Sequence, residues 1–242
     1  MRTGILLQVR LDSKRLNRKA LLPLGEATVV ELAMAALKKV KVQEHCLVTD
    51  EQSYNELKPL AQKQSFDIFK GPKDDVLKRY ALAARCFDLD CIVRATGDNP
   101  FVSPLLCEMI MEEHRKAKAD LSHYLDMPLG TGVEVVEARV LYEADKKSSD
   151  PFEREHITTY LYRNRGVFKV LEKICPANVY LPGSRVSLDT EKDYLLIKQI
   201  FNDLYQGQPL EASELVEWFK NQQTGAEEAK NESDHFSQQP SR

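Results

Sequence analysis

Gln8, Arg10, Ser13, Lys14, Arg15, Arg18 and Lys19 follow directly on a short apolar run, Ile5-Leu6-Leu7. A buried strand ending in a loop crowded with cations is a place where a polyanion can sit. Backbone N–H groups, a hydroxyl, and Arg and Lys side chains can share the charge of a triphosphate there. The same residues also suit a solvated basic loop. Neither the Gly-x-Gly-x-x-Gly nor the Gly-x4-Gly-Lys-Ser/Thr spacing is present. Two carboxylates follow apolar strands further along. Asp98 stands in Arg94-Ala-Thr-Gly-Asp-Asn-Pro100, and Asp189 follows Arg185-Val-Ser-Leu188. A carboxylate at a strand end can hold a hard divalent cation beside phosphates. Gly-Asp-Asn-Pro is also ordinary turn chemistry, and Asp189 also suits a helix N-cap. The two carboxylates and the cation loop point to a site more strongly together than any one does alone.

Other candidates carry less. His156 lies in Glu153-Arg-Glu-His156 without a serine or cysteine nucleophile at a matching spacing, so it reads as a substrate-site or dimer-contact residue and not a general base. Glu134, after Gly130-Thr-Gly132, could bind sugar hydroxyls or be an exposed strand carboxylate. The five cysteines, Cys46, Cys86, Cys91, Cys107 and Cys175, show no paired metal-ligand spacing and no near histidine, which argues against zinc and for reduced thiols in a cytoplasm.

The elements that must position these residues alternate. Thr28-Val-Val-Glu31 reads as a capping box, and Val29, Leu32, Ala33, Ala36, Leu37 and Val40 recur behind it at helical spacing. Strands are expected at Cys46–Thr49, Phe66–Phe69 and 90–95, with helices at 51–64 and about 74–87 between them. Short apolar strands alternating with helices predict an α/β fold with a parallel sheet, in which ligands bind at the carboxyl ends of the strands. Those ends carry Gln8 to Lys19, Thr49-Asp50, Gly71 to Asp75 and Gly97-Asp98, so they form one rim. Beyond Pro104 the pattern predicts a helix to about Lys118, strands at 120–125 and 133–136, and a helix over 138–146. It then predicts a helix opening at Pro151, strands at 167–171 and 185–188, and helices at 190–205 and 211–222. The polar stretch from Gln223 reads as a disordered tail.

The chain has 242 residues and 43% hydrophobic content, enough for one sizeable domain spanning 1–222. A net charge of −3 argues against nucleic-acid binding through bulk charge and leaves the local cation cluster for a small anion. The three-residue apolar run before Gln8 is short for a signal peptide, and no apolar run approaches membrane-spanning length, so a cytoplasmic protein is expected.

Five ordered motifs now carry a resemblance. Gln8-Val-Arg10-Leu-Asp-Ser13-Lys-Arg15-Leu16-Asn17-Arg18-Lys19, Asp74-Asp-Val-Leu-Lys-Arg79-Tyr80, Arg94 to Pro100, Arg154-Glu-His-Ile-Thr158 and Leu188-Asp189-Thr190-Glu-Lys-Asp193 stand in the right order over about residues 3–205. The chain resembles the cytidylyltransferases that make CMP-activated sugars, of the spore-coat polysaccharide biosynthesis type, relatives of the CMP-Kdo and CMP-sialate synthetases. The resemblance implies a Rossmann-like nucleotidyltransferase fold, GT-A-like, a three-layer sandwich with a small inserted sugar-binding and dimer region at about 120–180. It implies that Arg10, Ser13, Arg15 and Lys19 hold the phosphates of CTP. Gln8, Arg79, Thr96 and Gly97 would lie near the nucleotide, and Asp98 and Asp189 would ligate Mg2+. Lys19, Arg10 and Asp98 would be the catalytic set, with Glu134, Arg154 and His156 toward the sugar, in a homodimer.

One departure stands out. The family carries Pro-Gly where this chain has Asn17-Arg18. Glycine permits positive φ and close backbone approach, so Arg18 either adds a phosphate contact or fills the space a triphosphate needs. Two other classes fit the same residues: a binding protein that has lost catalysis, and a nucleotide-sugar-dependent glycosyltransferase. Intact Lys19, Asp98 and Asp189 favour activity over the first. The second usually needs an Asp-x-Asp motif, which Gly97-Asp98-Asn99 lacks.

Overall fold

The computed structural model describes residues 1–222 and residue 224; the segment expected to be a disordered tail otherwise lies outside them. A seven-stranded sheet runs in the order β5-β4-β1-β6-β8-β7-β9. Its strands are β1 (Thr3–Gln8), β4 (Glu44–Asp50), β5 (Asp67–Gly71), β6 (Cys91–Thr96), β7 (Leu121–Leu125), β8 (Glu134–Glu137) and β9 (Val170–Ile174), while β2 (Pro23–Leu24) and β3 (Ala27–Thr28) form a separate ribbon. β1 pairs in parallel with both β4 and β6, β4 with β5, and β7 with β9. β8 is antiparallel to both β6 and β7. The sheet is therefore mainly parallel, as the alternation predicts, with one reversed strand where the chain crosses into the 120–180 region.

Because the central strands are covered on both faces, every residue of β1 from Thr3 to Leu7 is buried. Ile5 and Leu7 point to the layer holding α1 (Val29–Leu37), α2 (Glu51–Lys63) and α4 (Pro104–Ala117). Leu6 points to the opposite layer, with α3 (Val76–Cys86), α5 (Ala138–Lys147) and α7 (Thr159–Arg163). This is the three-layer α/β sandwich. A third cluster joins Val29 and Leu32 of α1 to Ile197 and Ile200 of α8 (Glu191–Leu204) and to Leu215 and Trp218 of the helix over 212–222.

Polar residues at strand ends or in the loops after them start the helices. Thr28 and Glu31 form the expected capping box, Asp50 accepts from Ser53 N, Asp75 from Lys78 N and Ser103 from Leu106 N. Each such cap stabilises by about 1 kcal/mol and fixes where the loop before it must end.

Three expectations change. The strand expected at 167–171 begins at Val170, and the segment 185–188 forms one bridge, Leu129 to Arg185, instead of a ladder. That segment stretches between two loops: Val186 N donates to Leu129 O at 2.8 Å and Leu188 N to Asp98 O at 2.9 Å. The helix opening at Pro151 stops at Glu155 (α6, Pro151–Glu155), because His156 leaves helical geometry before α7 resumes.

Candidate active site

At the carboxyl ends of β1 and β6 lies a cavity of about 750 Å³. The loop after β1 forms one wall and is tied down at both ends. Leu11 N donates to Ser53 Oγ at 3.1 Å, and Arg18 N donates to Leu11 O at 3.0 Å. Gly97 lets the β6 loop pass close beneath: a Cβ there would sit 2.1 Å from Val9 Cγ2. Of the residues predicted from sequence, Gln8, Arg10, Ser13, Arg15 and Lys19 line the cavity from the first loop. Thr96, Gly97 and Asp98 line it from β6, and Asp189 and His156 from the far side.

The centre of the site is one ammonium between two carboxylates. Lys19 Nζ donates to Asp98 Oδ2 at 2.6 Å, to Asp189 Oδ1 at 2.8 Å and to Leu188 O at 2.7 Å. Asp189 is not the N-cap of α8. That role falls to Thr190, which forms a capping box with Asp193 and leaves the Asp189 carboxylate to face the cavity. Arg15 approaches Asp189 Oδ1 at 2.8 Å, and Arg185 bonds Oδ2. Burial alone pushes the Asp189 carboxyl up; the hydrogen bond and charge of Lys19, with Arg15 and Arg185, hold it below the usual carboxylate range. The acceptors around the ammonium are all oxygens, two of them carboxylate, and that set of ligand atoms fits a hard divalent cation.

Across the cavity, Arg10 pairs with Glu155 at 2.8 Å and Lys73 with Asp12 at 2.7 Å. The hydrogen bond from Lys73, ahead of burial in effect, holds the Asp12 carboxyl below its ordinary value. These pairs set movable cations around a space that an anion can enter.

Three predicted residues lie elsewhere. Arg79 is buried on α3, and Nη1 bonds the backbone carbonyls of Pro72 and Lys73, so it shapes the turn that presents Lys73. Arg154 pins α6 to Asp75 and Asp145, each at 2.6 Å, and so fixes the neighbouring Glu155 and His156. Glu134 is not an exposed carboxylate. It faces Arg94 across the β6–β8 pair at 2.7 Å and accepts from Tyr162 Oη at 2.8 Å. Burial pushes Glu134 up, but Arg94 and Tyr162 hold it low.

Sequence reasoning missed Asp12, Lys73, Arg94 and Glu155, which also line the cavity. Asp12, Arg94 and Glu155 stand inside the recognised motifs, and Lys73 lies in the strand-end segment Gly71 to Asp75 on the expected rim; those positions are the signal that could have found them. Arg18, by contrast, does not line the cavity. It adopts the left-handed conformation (φ 56°, ψ 26°) and turns to Glu56, with Nη1 donating to Oε1 at 3.1 Å. It therefore leaves the cavity open.

A cysteine–histidine neighbourhood does exist, against the sequence expectation. Ligand atoms of Cys91, His114 and Glu137 lie within 4.8 Å of one another, brought together by β6, α4 and β8. His114 is already bonded to Ser122 at 2.8 Å and to Glu137 at 3.2 Å, and burial pushes the Cys91 thiol up to about 12. The trio reads as a satisfied buried network.

The family model described as cytidylyltransferase matches residues 5–231. An uncharacterized protein of Methanocaldococcus jannaschii is 34% identical over 197 residues, 81% of each chain. The spore coat polysaccharide biosynthesis protein SpsF of Bacillus subtilis is 28% identical over 218 residues, 87% of this chain and 91% of its own. Among solved structures, a cytidylyltransferase from Leptospira borgpetersenii superposes with a TM-score of 0.85 at 27% identity, covering 93% of this chain and 96% of that one.

Proposed function

The chain belongs to the cytidylyltransferase family, and from that premise we propose that it transfers CMP from CTP to a sugar acid or related sugar. Pyrophosphate leaves, and the product serves surface polysaccharide biosynthesis. The observation that carries this reading is the meeting of Lys19, Asp98 and Asp189 beneath a cation-lined loop. Arg10, Arg15, Lys19 and the Ser13 hydroxyl bind the triphosphate, and Gln8, Thr96 and Gly97 line the nucleotide side. The sugar enters near His156, and its hydroxyl attacks the α-phosphorus in line with the departing pyrophosphate. No covalent intermediate is needed, so catalysis is positioning plus neutralisation of the charge that develops on the phosphates. Magnesium, held by Asp98 and Asp189, would supply further neutralisation of that charge.

The setting is proposed as well. Among the described residues no helix is long and apolar enough to cross a membrane, and a cytoplasmic location suits a reaction that consumes CTP. A homodimer is supported by apolar side chains left exposed in the 120–180 region, including Phe152, Val167 and Ile174. Light scattering at working concentrations reads that state directly, and a monomer would sink it.

The activity test is pyrophosphate release from CTP and magnesium across a panel of sugar acids and neutral sugars, beside Asp98→Ala. Release with at least one sugar acid, at least about a hundredfold slower in the variant, is expected from the loss of one transition-state electrostatic contact. A folded protein that binds no CTP refutes the reading.

A further inference from the structure

The reading above assigns Lys19 to phosphate and Asp98 with Asp189 to a divalent cation. An ammonium has three N–H donors. All three are used here, on Asp98 Oδ2 at 2.6 Å, Leu188 O at 2.7 Å and Asp189 Oδ1 at 2.8 Å. These are charge-assisted distances, and the Lys19 side chain is only 13% exposed. No donor is left for a phosphate oxygen, so Lys19 can serve the carboxylates or the nucleotide but not both at once.

We propose that Lys19 occupies the cation position between Asp98 and Asp189 in the free protein and yields it only when a triphosphate takes the ammonium. Nucleotide and divalent cation then bind cooperatively through one side chain. The inference rests on the proposed CTP and metal roles of this site.

The surroundings explain why neither ligand does well alone. A divalent cation arriving first must push the ammonium into a cavity that already holds Arg10, Lys14, Arg15 and Lys73. A triphosphate arriving first draws Lys19 away, and Asp98 then loses its only cationic partner among the described residues. Asp189 is less affected, since Arg15 and Arg185 remain on it. With both ligands present, the phosphates neutralise the loop cations and accept from Lys19, while the divalent cation replaces it between the carboxylates. Linkage makes the gain reciprocal: whatever nucleotide adds to metal affinity, metal adds to nucleotide affinity.

Direct manganese binding, followed without nucleotide by the resonance of free Mn2+, tests this independently of turnover. Wild type is expected to bind Mn2+ weakly. Lys19→Met removes the competing cation and is expected to bind at least about tenfold more tightly, since a charge a few ångströms away at a partly buried site exceeds that factor. Adding Asp98→Asn to Lys19→Met should abolish the gain. Manganese should also raise the melting temperature of the Lys19→Met protein and leave that of wild type unchanged. Lys19→Gln, which keeps hydrogen-bond donors, is the second variant if the first does not fold. A folded variant that binds Mn2+ no better than wild type, or a gain that survives Asp98→Asn, overturns the proposal. Should neither variant fold, the wild-type Lys19 side-chain NMR signal decides: magnesium alone should leave it in place, and movement by magnesium alone overturns the proposal. Titration of CTP into wild type separates the two claims. CTP binding without a manganese gain leaves the function and removes the placeholder, whereas a gain without CTP binding leaves Lys19 as the cation's competitor but overturns the function and the release of Lys19 by nucleotide.

Discussion

Gly97→Ala should damage both stability and nucleotide binding, and Val9→Ala should partly rescue both. An ideal Cβ on Gly97 would lie 2.1 Å from Val9 Cγ2, 3.3 Å from Val30 Cγ2 and 3.4 Å from Gln8 O. Carbon atoms in contact settle at about 3.5–4.0 Å, so the valine methyl must retreat by well over an ångström. It has little room: Val9 is 3% exposed and sits in the core with Ile5, Leu7 and Val30. Overpacking of this kind costs about 1–3 kcal/mol, and each kcal/mol lowers the melting temperature of a chain this size by about 2–4 °C. The strain falls on the residue before Arg10, whose backbone is held by Val48 O at 3.1 Å and Thr49 Oγ1 at 2.8 Å. CTP affinity should therefore fall with stability. Val9→Ala removes the obstructing methyl, so the double variant should be less destabilised than the two single changes together by about 1 kcal/mol or more. Urea denaturation of all four proteins, with CTP titrations alongside, gives the cycle. Additivity within about 0.5 kcal/mol, or a Gly97→Ala protein as stable as wild type, would refute the close-approach argument.

Three further outcomes are expected. Glu134→Gln removes the charge facing the Arg94 guanidinium, whose side chain is 23% exposed at the cavity wall, and should cost about 1–3 kcal/mol in denaturant unfolding; a loss below about 0.5 kcal/mol would show the pair to be solvated. Asp75, Asp189 and Glu134 have folded pKa values below their ordinary ones. Their contribution is present above the unfolded values and lost as pH falls through the folded ones, so stability should drop below about pH 4. Asp189→Asn should flatten part of that acid slope, and parallel curves for variant and wild type would contradict it. Arg18→Gly should be nearly neutral, within about 1 kcal/mol. Relief of the left-handed strain opposes loss of a half-exposed pair with Glu56 and a looser unfolded chain. A large gain in CTP affinity would mean that Arg18 does obstruct the site.

Much of the fold is legible in the chain because local signals and tertiary packing agree. Thr28-x-x-Glu31 caps α1, Pro104 follows its capping Ser103, and the apolar strands mark a sheet covered on both faces. The cavity rim follows from that topology, since the parallel strands β1 and β6 end side by side and bring Gln8 to Lys19 beside Thr96 to Asp98. Failures occur where a role depends on pairing across distant segments. Glu134 reads as a sugar contact or an exposed strand carboxylate until the antiparallel register sets it opposite Arg94. Arg154 reads as a substrate contact, although its partners Asp75 and Asp145 reach it from two other helix ends. Cys91, His114 and Glu137 are far apart in sequence and meet only because β6, β8 and α4 pack together.

The shift of one residue at Asp189 shows how fine the remaining ambiguity is. Asp189 and Thr190 are both good N-caps, and sequence cannot choose between them. The structure gives the cap to Thr190, whose hydroxyl accepts from Asp193 N while the Asp193 carboxylate bonds back to the Thr190 backbone. That choice frees the Asp189 carboxylate for Lys19, Arg15 and Arg185. Had Asp189 been the cap, its oxygens would have been spent on helix N–H groups and Asp98 would have faced Lys19 alone. The neighbouring segment 184–188 gives up strand pairing to reach that position, held by Leu129 on one side and by Asp98 O on the other. Gly130 makes this approach possible: at φ 107° its α-carbon lies so close that a Cβ would sit 2.8 Å from Ser187 N. The carboxylate pair is thus assembled by backbone contacts between loops, and a side chain at Gly130 would separate Asp189 from Asp98 without altering either acid.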